Sequence, residues 1–141
     1  MTATILFATR NPGKYAEFVA AFHKFSPQTS IISLADLDYQ MPDCIETGTT
    51  FEQNALLKAR HARNYLHGND KNLIIIADDS GMEIEALNGE PGVFTRRWNG
   101  HEMSDQEVVD YCLKKLENKI KDGYKRQQLC WFRQWHWNVR Q

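Results

Sequence analysis

Two neighbouring carboxylates at the end of an apolar run are the first residues in this sequence with chemistry to offer. Asp78 and Asp79 follow Leu73-Ile-Ile-Ile-Ala77 and precede Ser80-Gly81. Like charges that close raise one another's proton affinity unless a divalent cation or a basic group compensates. Magnesium is the natural ion, because it takes a few carboxylates together with substrate phosphates. The competing reading is a solvated Asp-Asp-Ser-Gly turn whose side chains bond their own backbone. Glu46, just ahead of Thr50, is either a loop acid or a third carboxylate for the same ion.

The matching cations are Lys14 and Lys58. Lys14 stands in the opening turn of an expected helix, where the macrodipole is positive and a cation is unfavourable unless something anionic offsets it. A strand, the Arg10-Asn-Pro-Gly13 turn, free N–H groups at a helix start and the Thr9 hydroxyl together make a phosphate cradle. The P-loop pattern is absent, which disfavours a P-loop kinase. The alternative for Lys14 is an exposed side chain lying over the helix start. Lys58, four residues after Asn54 and seven after Phe51, either flanks a buried stripe or faces solvent.

Elements must bring these residues together. Thr4 to Thr9 and Ile31 to Leu34 read as strands. Leu73 to Ala77, apolar on both faces, reads as a central strand covered by helices on each side. It is expected to end in the Asp78–Gly81 turn, with Met82 to Ala86 as a separate half-exposed strand. Tyr15, Phe18, Val19, Phe22 and Phe25 form the stripe of a first helix with Asn11 as N-cap and Pro12 at its first position. Thr50 and Gln53 form a capping box for a second helix that buries Phe51, Ala55, Ala59, Ala62 and Leu66. Ser104 and Glu107 cap a third with the face Val109, Cys112, Leu113, Leu116 and Ile120. Ala35 to Gly48 and Asn88 to Gly92 read as loops. The fold class is α/β, and ligands collect at the carboxyl edge of such a sheet.

Composition narrows the field. At 141 residues one domain with one core is expected, and 42% hydrophobic with 25% charged residues excludes a disordered chain. The net charge of −1 argues against general nucleic-acid binding by counterion release. No uninterrupted apolar run approaches a membrane span and no signal peptide is visible, so a cytoplasmic protein without membrane partners is expected. Cys44, Cys112 and Cys130 form no CxxC pair and fit neither a disulfide scaffold nor a thiolate zinc site.

Three segments carry a family resemblance: Thr9-Arg-Asn-Pro-Gly-Lys14, Glu46-Thr-Gly-Thr-Thr-Phe-Glu-Gln-Asn-Ala-Leu-Leu-Lys-Ala59, and Ala77-Asp-Asp-Ser-Gly-Met-Glu-Ile-Glu-Ala-Leu-Asn-Gly-Glu-Pro-Gly-Val93. In order and spacing, from Thr4 to about Gly100, the chain resembles the inosine triphosphate pyrophosphatases, also called Ham1-like. The resemblance implies a mixed central sheet flanked by helices. It implies a magnesium-dependent enzyme that hydrolyses ITP, dITP and XTP to the monophosphate and pyrophosphate, and it allows a homodimer. By the same likeness Thr9, Asn11 and Lys14 hold the phosphates, Lys58 adds positive charge and Ser80 contacts substrate. Glu46 and Asp79 hold the metal, and Asp78 and Asp79 are the catalytic pair, with Asp79 the base for the attacking water.

The likeness is incomplete. The family's Gly-Phe-Gly-Tyr-Asp stretch and Ser-His-Arg motif, which the resemblance assigns to base recognition, do not occur here. Ile45 stands where many members have an acid, and Arg96 replaces a small residue. The expectation is a family-like domain over residues 1–121, a divergent Trp- and Arg-rich tail over 122–141, and a C-terminal lobe largely missing through truncation or frameshift. The rival readings are an inactive truncated form or interaction protein, and a Maf-like nucleotide pyrophosphatase.

Overall fold

In the computed structural model, which describes residues 4–121 and 131–140, the chain begins with strand β1 (Thr4–Phe7). Helix α1 (Pro12–Phe22) returns it to β2 (Ser30–Ser33), which pairs parallel to β1 with Ile5 opposite Ile31. Helix α2 (Phe51–Tyr65) then leads to β3 (Ile74–Ile84), which lies parallel to β1 on its other side with Leu6 opposite Ile75. Both parallel pairings are therefore reached through a helix, the connection that parallel strands require. The chain continues through the short β4 (Pro91–Gly92) and α3 (Asp105–Lys121) to β5 (Trp131–Arg140). The strand order is β2-β1-β3-β4, with β5 also pairing with β3. This is the α/β class with a mixed sheet that the sequence implies.

The residues gather into two compact units, Met1–Asp79 with His136–Gln141, and Ser80–Trp135. In the first, alternation along the strands divides the apolar side chains into two layers. Leu6, Ala8, Ile75 and Ala77 pack against Ala59, Ala62 and Leu66 of α2. Ile5, Phe7, Ile31 and Ile76 pack against Phe18 of α1, with Tyr15, Val19 and Phe22 around it. Length alone suggested one core; a sheet covered on both faces necessarily has two. The alanines along α2 let that helix sit close to the sheet.

In the second unit β3 turns back onto β4, antiparallel, with Met82 opposite Gly92. Ile84, Ala86 and Leu87 pack on Cys112 and Leu116 of α3. Asn88 takes the left-handed conformation at φ 54° in the turn between them, one that asparagine tolerates better than most residues. Ser104 and Glu107 form the expected capping box on α3.

Five local expectations are corrected. The turn at Asp78–Gly81 does not form, and one strand runs from Ile74 to Ile84 where two were expected. Asp, Ser and Gly signal turns by bonding their own backbone; here the aspartates find partners on distant helices. Phe25 lies beyond the end of α1 and is exposed, as are Val109 and Leu113 on α3, whereas Cys112 and Leu116 of that expected stripe are buried. The helix-start N–H groups of α1 are not free, because Asn11 Oδ1 accepts both Gly13 and Lys14 N–H. At α2, Thr50 accepts the Gln53 N–H as expected, but Gln53 Oε1 reaches back to Thr49 rather than Thr50.

Of the expected tail, residues 122–130 and 141 lie outside the described residues, and 131–140 form β5. Among the described residues no helix is long and apolar enough to cross a membrane.

These burial differences have measurable weight. Phe7, fully buried between β1 and α1, is expected to cost about 3–5 kcal/mol when cut to alanine, whereas Leu113→Ser on α3 is expected to stay within about 0.5 kcal/mol. Urea unfolding followed by circular dichroism compares the two; similar losses would contradict the packing described.

Candidate active site

The strand period decides where the two aspartates go. Ile74 and Ile76 face α1 while Ile75 and Ala77 face α2. Continuing that alternation, Asp78 belongs to the α1 face and Asp79 to the α2 face. Lys14 Nζ, from the first turn of α1, sits 2.9 Å from Asp78 Oδ2. Lys58 Nζ, from α2, sits 2.7 Å from Asp79 Oδ1 and 3.2 Å from the Asp78 carbonyl oxygen. Each buried carboxylate thus meets the lysine of the helix covering its own side. The bland readings of both lysines and of the solvated Asp-Asp turn are set aside, since Asp78 is 2% and Asp79 6% exposed.

Lys58 also meets Glu46, whose Oε1 lies 3.2 Å from the same Nζ. Burial is the largest influence on Lys58 and pushes its pKa down. The charges and hydrogen bonds of Asp79 and Glu46 together outweigh it and hold the ammonium above the usual lysine range. Asp79 Oδ2 receives the Asn54 side-chain amide at 3.1 Å, and Asn54 Oδ1 accepts the Gly48 N–H at 2.8 Å. Neither Asn54 nor Gly48 was singled out as functional in the sequence. The signal available was a polar residue within the otherwise apolar stripe of α2.

The loop that carries Glu46 is held at both ends. Arg10 reaches across from the turn before α1 to the Asp43 carboxylate and the Met41 carbonyl. His61 Nε2 donates to the Pro42 carbonyl at 2.8 Å, which fixes the proton on that nitrogen. Gly48 and Thr49 are bound by Asn54 and Gln53 at the far end. Cys44 lies in this stretch. Burial first, and Glu46 second, push its thiol up, with Lys58 pulling the other way.

The Arg10-Asn-Pro-Gly13 turn is self-contained. Thr9, buried, accepts the Asn11 N–H on its hydroxyl at 3.1 Å, and Asn11 in turn caps α1. Lys14 therefore supplies this helix end with charge that its bonded amides cannot offer by hydrogen bonding. Of the expected site residues, Lys14 joins Asp78, and Lys58, Asp79 and Glu46 form one cluster, all within the first unit. Thr9 and Asn11 are joined to one another. Ser80, the next residue of β3, is partly buried and falls in the second unit.

Among the described residues no group of three His, Cys, Asp or Glu side chains is arranged as a metal cage. What the first unit offers instead is two carboxylates, Glu46 and Asp79, on one ammonium. Oxygen donors of that number suit a hard divalent ion that completes its shell with water and phosphate, not zinc. The residues present fit a hard divalent cation in that sense.

Removing Lys58 leaves Asp79 buried with its charge uncompensated. Lys58→Met is expected to destabilise the fold by about 3–5 kcal/mol, and by clearly less in a background that already carries Asp79→Asn. Because the folded-state pKa of Lys58 is raised, its contribution is fully present below the unfolded lysine value of about 10.4 and fades as pH rises through the higher folded value. Urea midpoints of wild type and variant should thus differ by a constant amount from pH 6 to 9. A gap that closes within that range would contradict the pairing.

Residues 5–134 match the Ham1 family model, a match that extends past Gly100, where the motifs leave off. A dITP/XTP pyrophosphatase of Oceanobacillus iheyensis is 42% identical over 114 residues, covering 81% of this chain and 54% of that protein. One of Bacillus cereus is 39% identical over 126 residues, covering 89% and 58%. The chain spans little more than half the length of these curated relatives. Among solved structures, a HAM1 protein from Coxiella burnetii superimposes with a TM-score of 0.64 at 34% identity, covering 84% of this chain and 55% of that one. The Ham1 protein of Staphylococcus aureus gives 0.59 at 38% identity, covering 82% and 55%. With residues 5–134 of its 141 matched by the family model, and the strands and helices laid out as in these structures, the chain is a member of the Ham1 family.

Proposed function

We propose that this chain hydrolyses non-canonical purine nucleoside triphosphates, ITP, dITP and XTP, to the monophosphate and pyrophosphate. The observation that carries the reading is the pairing of Asp78 with Lys14 and of Asp79 with Lys58 at the carboxyl end of β3. Relatives named dITP/XTP pyrophosphatase support the substrate class.

The charge balance explains what such a site needs. Asp78, Asp79 and Glu46 outnumber Lys14 and Lys58 by one, so a triphosphate arriving here meets a surplus of negative charge. Glu46 and Asp79 would hold magnesium, which neutralises phosphate oxygens and makes phosphorus accessible to water when bound. Lys14 and Lys58 turn their ammonium groups toward the phosphates, exchanging part of their carboxylate contacts for phosphate oxygens. Thr9 and Asn11 keep the turn before α1 rigid and offer their remaining hydroxyl and amide hydrogens to the chain of phosphates. Ser80, which follows Asp79 in sequence, contacts substrate.

Asp79 accepts the proton of the attacking water. The water oxygen bonds to the α-phosphorus as the bond from that phosphorus to the bridging oxygen breaks, and pyrophosphate leaves with the bridging oxygen. Asp78 acts on this step through Lys14, which it holds in place. The same reading places the enzyme in the cytoplasm, as a homodimer, acting on free nucleotide; the net charge of −1 supports the choice of free nucleotide over nucleic acid.

Pyrophosphate release from ITP and ATP, each with and without magnesium, tests the proposal on purified protein. Release is expected from ITP only with the metal and, because the stretches that the resemblance assigns to base recognition do not occur here, with weak selectivity over ATP. Asp79→Asn is expected to lower kcat by about 10²–10⁴-fold with the far-ultraviolet spectrum unchanged. Wild-type turnover in that variant would remove Asp79 from the mechanism.

A further inference from the structure

Asn54 is wholly buried in a helix stripe otherwise made of Phe51, Ala55, Ala59 and Ala62. A polar amide in such a place is unfavourable unless its hydrogen bonds are made. Both sides are used, in different directions: Oδ1 receives the Gly48 N–H and Nδ2 donates to Asp79 Oδ2. Holding the helix end does not require it, because Thr50 and Gln53 already supply the cap. One turn further along α2, Lys58 binds the other oxygen of the same carboxylate. Asp79 is therefore gripped on Oδ2 by a neutral donor and on Oδ1 by a cation, which fixes the rotation of its carboxylate.

Gly48 completes the link. A Cβ there would stand 2.5 Å from Asn54 Oδ1 and 2.8 Å from Gln53 Cβ, closer than side-chain carbons approach other atoms. The glycine is what allows this loop to reach Asn54, and Glu46 lies two residues before it on the same Lys58.

We propose that Asn54 is a positioning residue for hydrolysis: it sets the orientation of Asp79 and ties that orientation to the loop that carries Glu46. The inference rests on the reading of Asp79 as the base, and concerns how that base is held. An amide suits the task because it donates to one partner and accepts from the other; an aspartate of the same shape could not donate to Asp79.

Steady-state kinetics and nitrogen-15 NMR on the full chain test it together. Since a misplacement of about 1 Å can cost about 10²-fold, Asn54→Ala and Gly48→Ala are each expected to lower kcat by about 30-fold or more with KM within about 3-fold. The double variant should be no slower than the slower single one, because both cut the same link. Glu107→Ala removes the capping box of α3 instead and should keep kcat. A loss in Glu107→Ala equal to that in Asn54→Ala, or multiplying losses in the double variant, would make Asn54 merely structural and overturn the proposal.

The NMR arm does not depend on turnover. Asp79→Asn is expected to shift the Gly48 backbone amide resonance, and to lose that effect once Asn54 is alanine. If Gly48 responds in this way while the wild-type protein releases no pyrophosphate from any nucleotide, the reaction reading fails and the Asn54 link stands. If Gly48 does not respond, the link itself is wrong whatever the activity.

Discussion

A β-strand sends successive side chains to opposite sides, and the site is built on that constraint. Asp78 and Asp79 are neighbours in the chain, so their charges should repel. In the extended conformation of β3 they face different helices, and each meets a lysine of the helix on its side. What reads in the sequence as a like-charge pair is in space two opposite-charge pairs separated by a strand. Burial sharpens the arrangement: an unpaired carboxylate at the depth of Asp78 would carry a desolvation penalty of several kcal/mol. The ion pairs offset that penalty and hold the strand extended through the point where its composition favours a turn. The two apolar layers beneath, set by the same alternation, bring α1 and α2 to the correct faces.

The loop before α2 obeys a second constraint, that of long polar connections over an apolar sheet. Its backbone cannot find partners in regular structure, so it takes them from side chains. Arg10 and His61 hold Met41 to Asp43, while Gln53 and Asn54 hold Thr49 and Gly48. Glu46 is thereby presented to Lys58 by a segment with no helix or strand of its own. The 3-10 turn at Leu34–Asp36, closed by a reciprocal Ser33–Asp36 box, gives the loop a fixed start.

Much of this was legible in the residues alone, for identifiable reasons. Asn11 and Pro12 announce the start of α1, and the stripe of Phe51, Ala55, Ala59, Ala62 and Leu66 announces the buried face of α2, because caps and helical period are local signals. The continuous run of isoleucines marks a strand covered on both faces. Long-range partners were not legible. Nothing near Asp78–Gly81 says that lysines from distant helices will keep the segment extended, and nothing near Asn11 says that its side chain will occupy the N–H groups that make a helix start attractive to anions. The third helix misled for a related cause: Val109 and Leu113 have the right period, but what α3 buries depends on which elements pack against it. Glu46 could be located in the sequence but not assigned; its meeting with Lys58 gives it a place in the cluster.

Cys44 shows what the same electrostatics do to a neighbour outside the proposed chemistry. Its sulphur lies within reach of the field of Glu46, and partial burial adds to the effect, so it carries its hydrogen at neutral pH even though Lys58 draws the other way. Oxidants, alkylating reagents and disulfide exchange attack the sulphur anion rather than the protonated form. The acid that meets Lys58 therefore also holds the neighbouring Cys44 thiol in its protonated, less nucleophilic form.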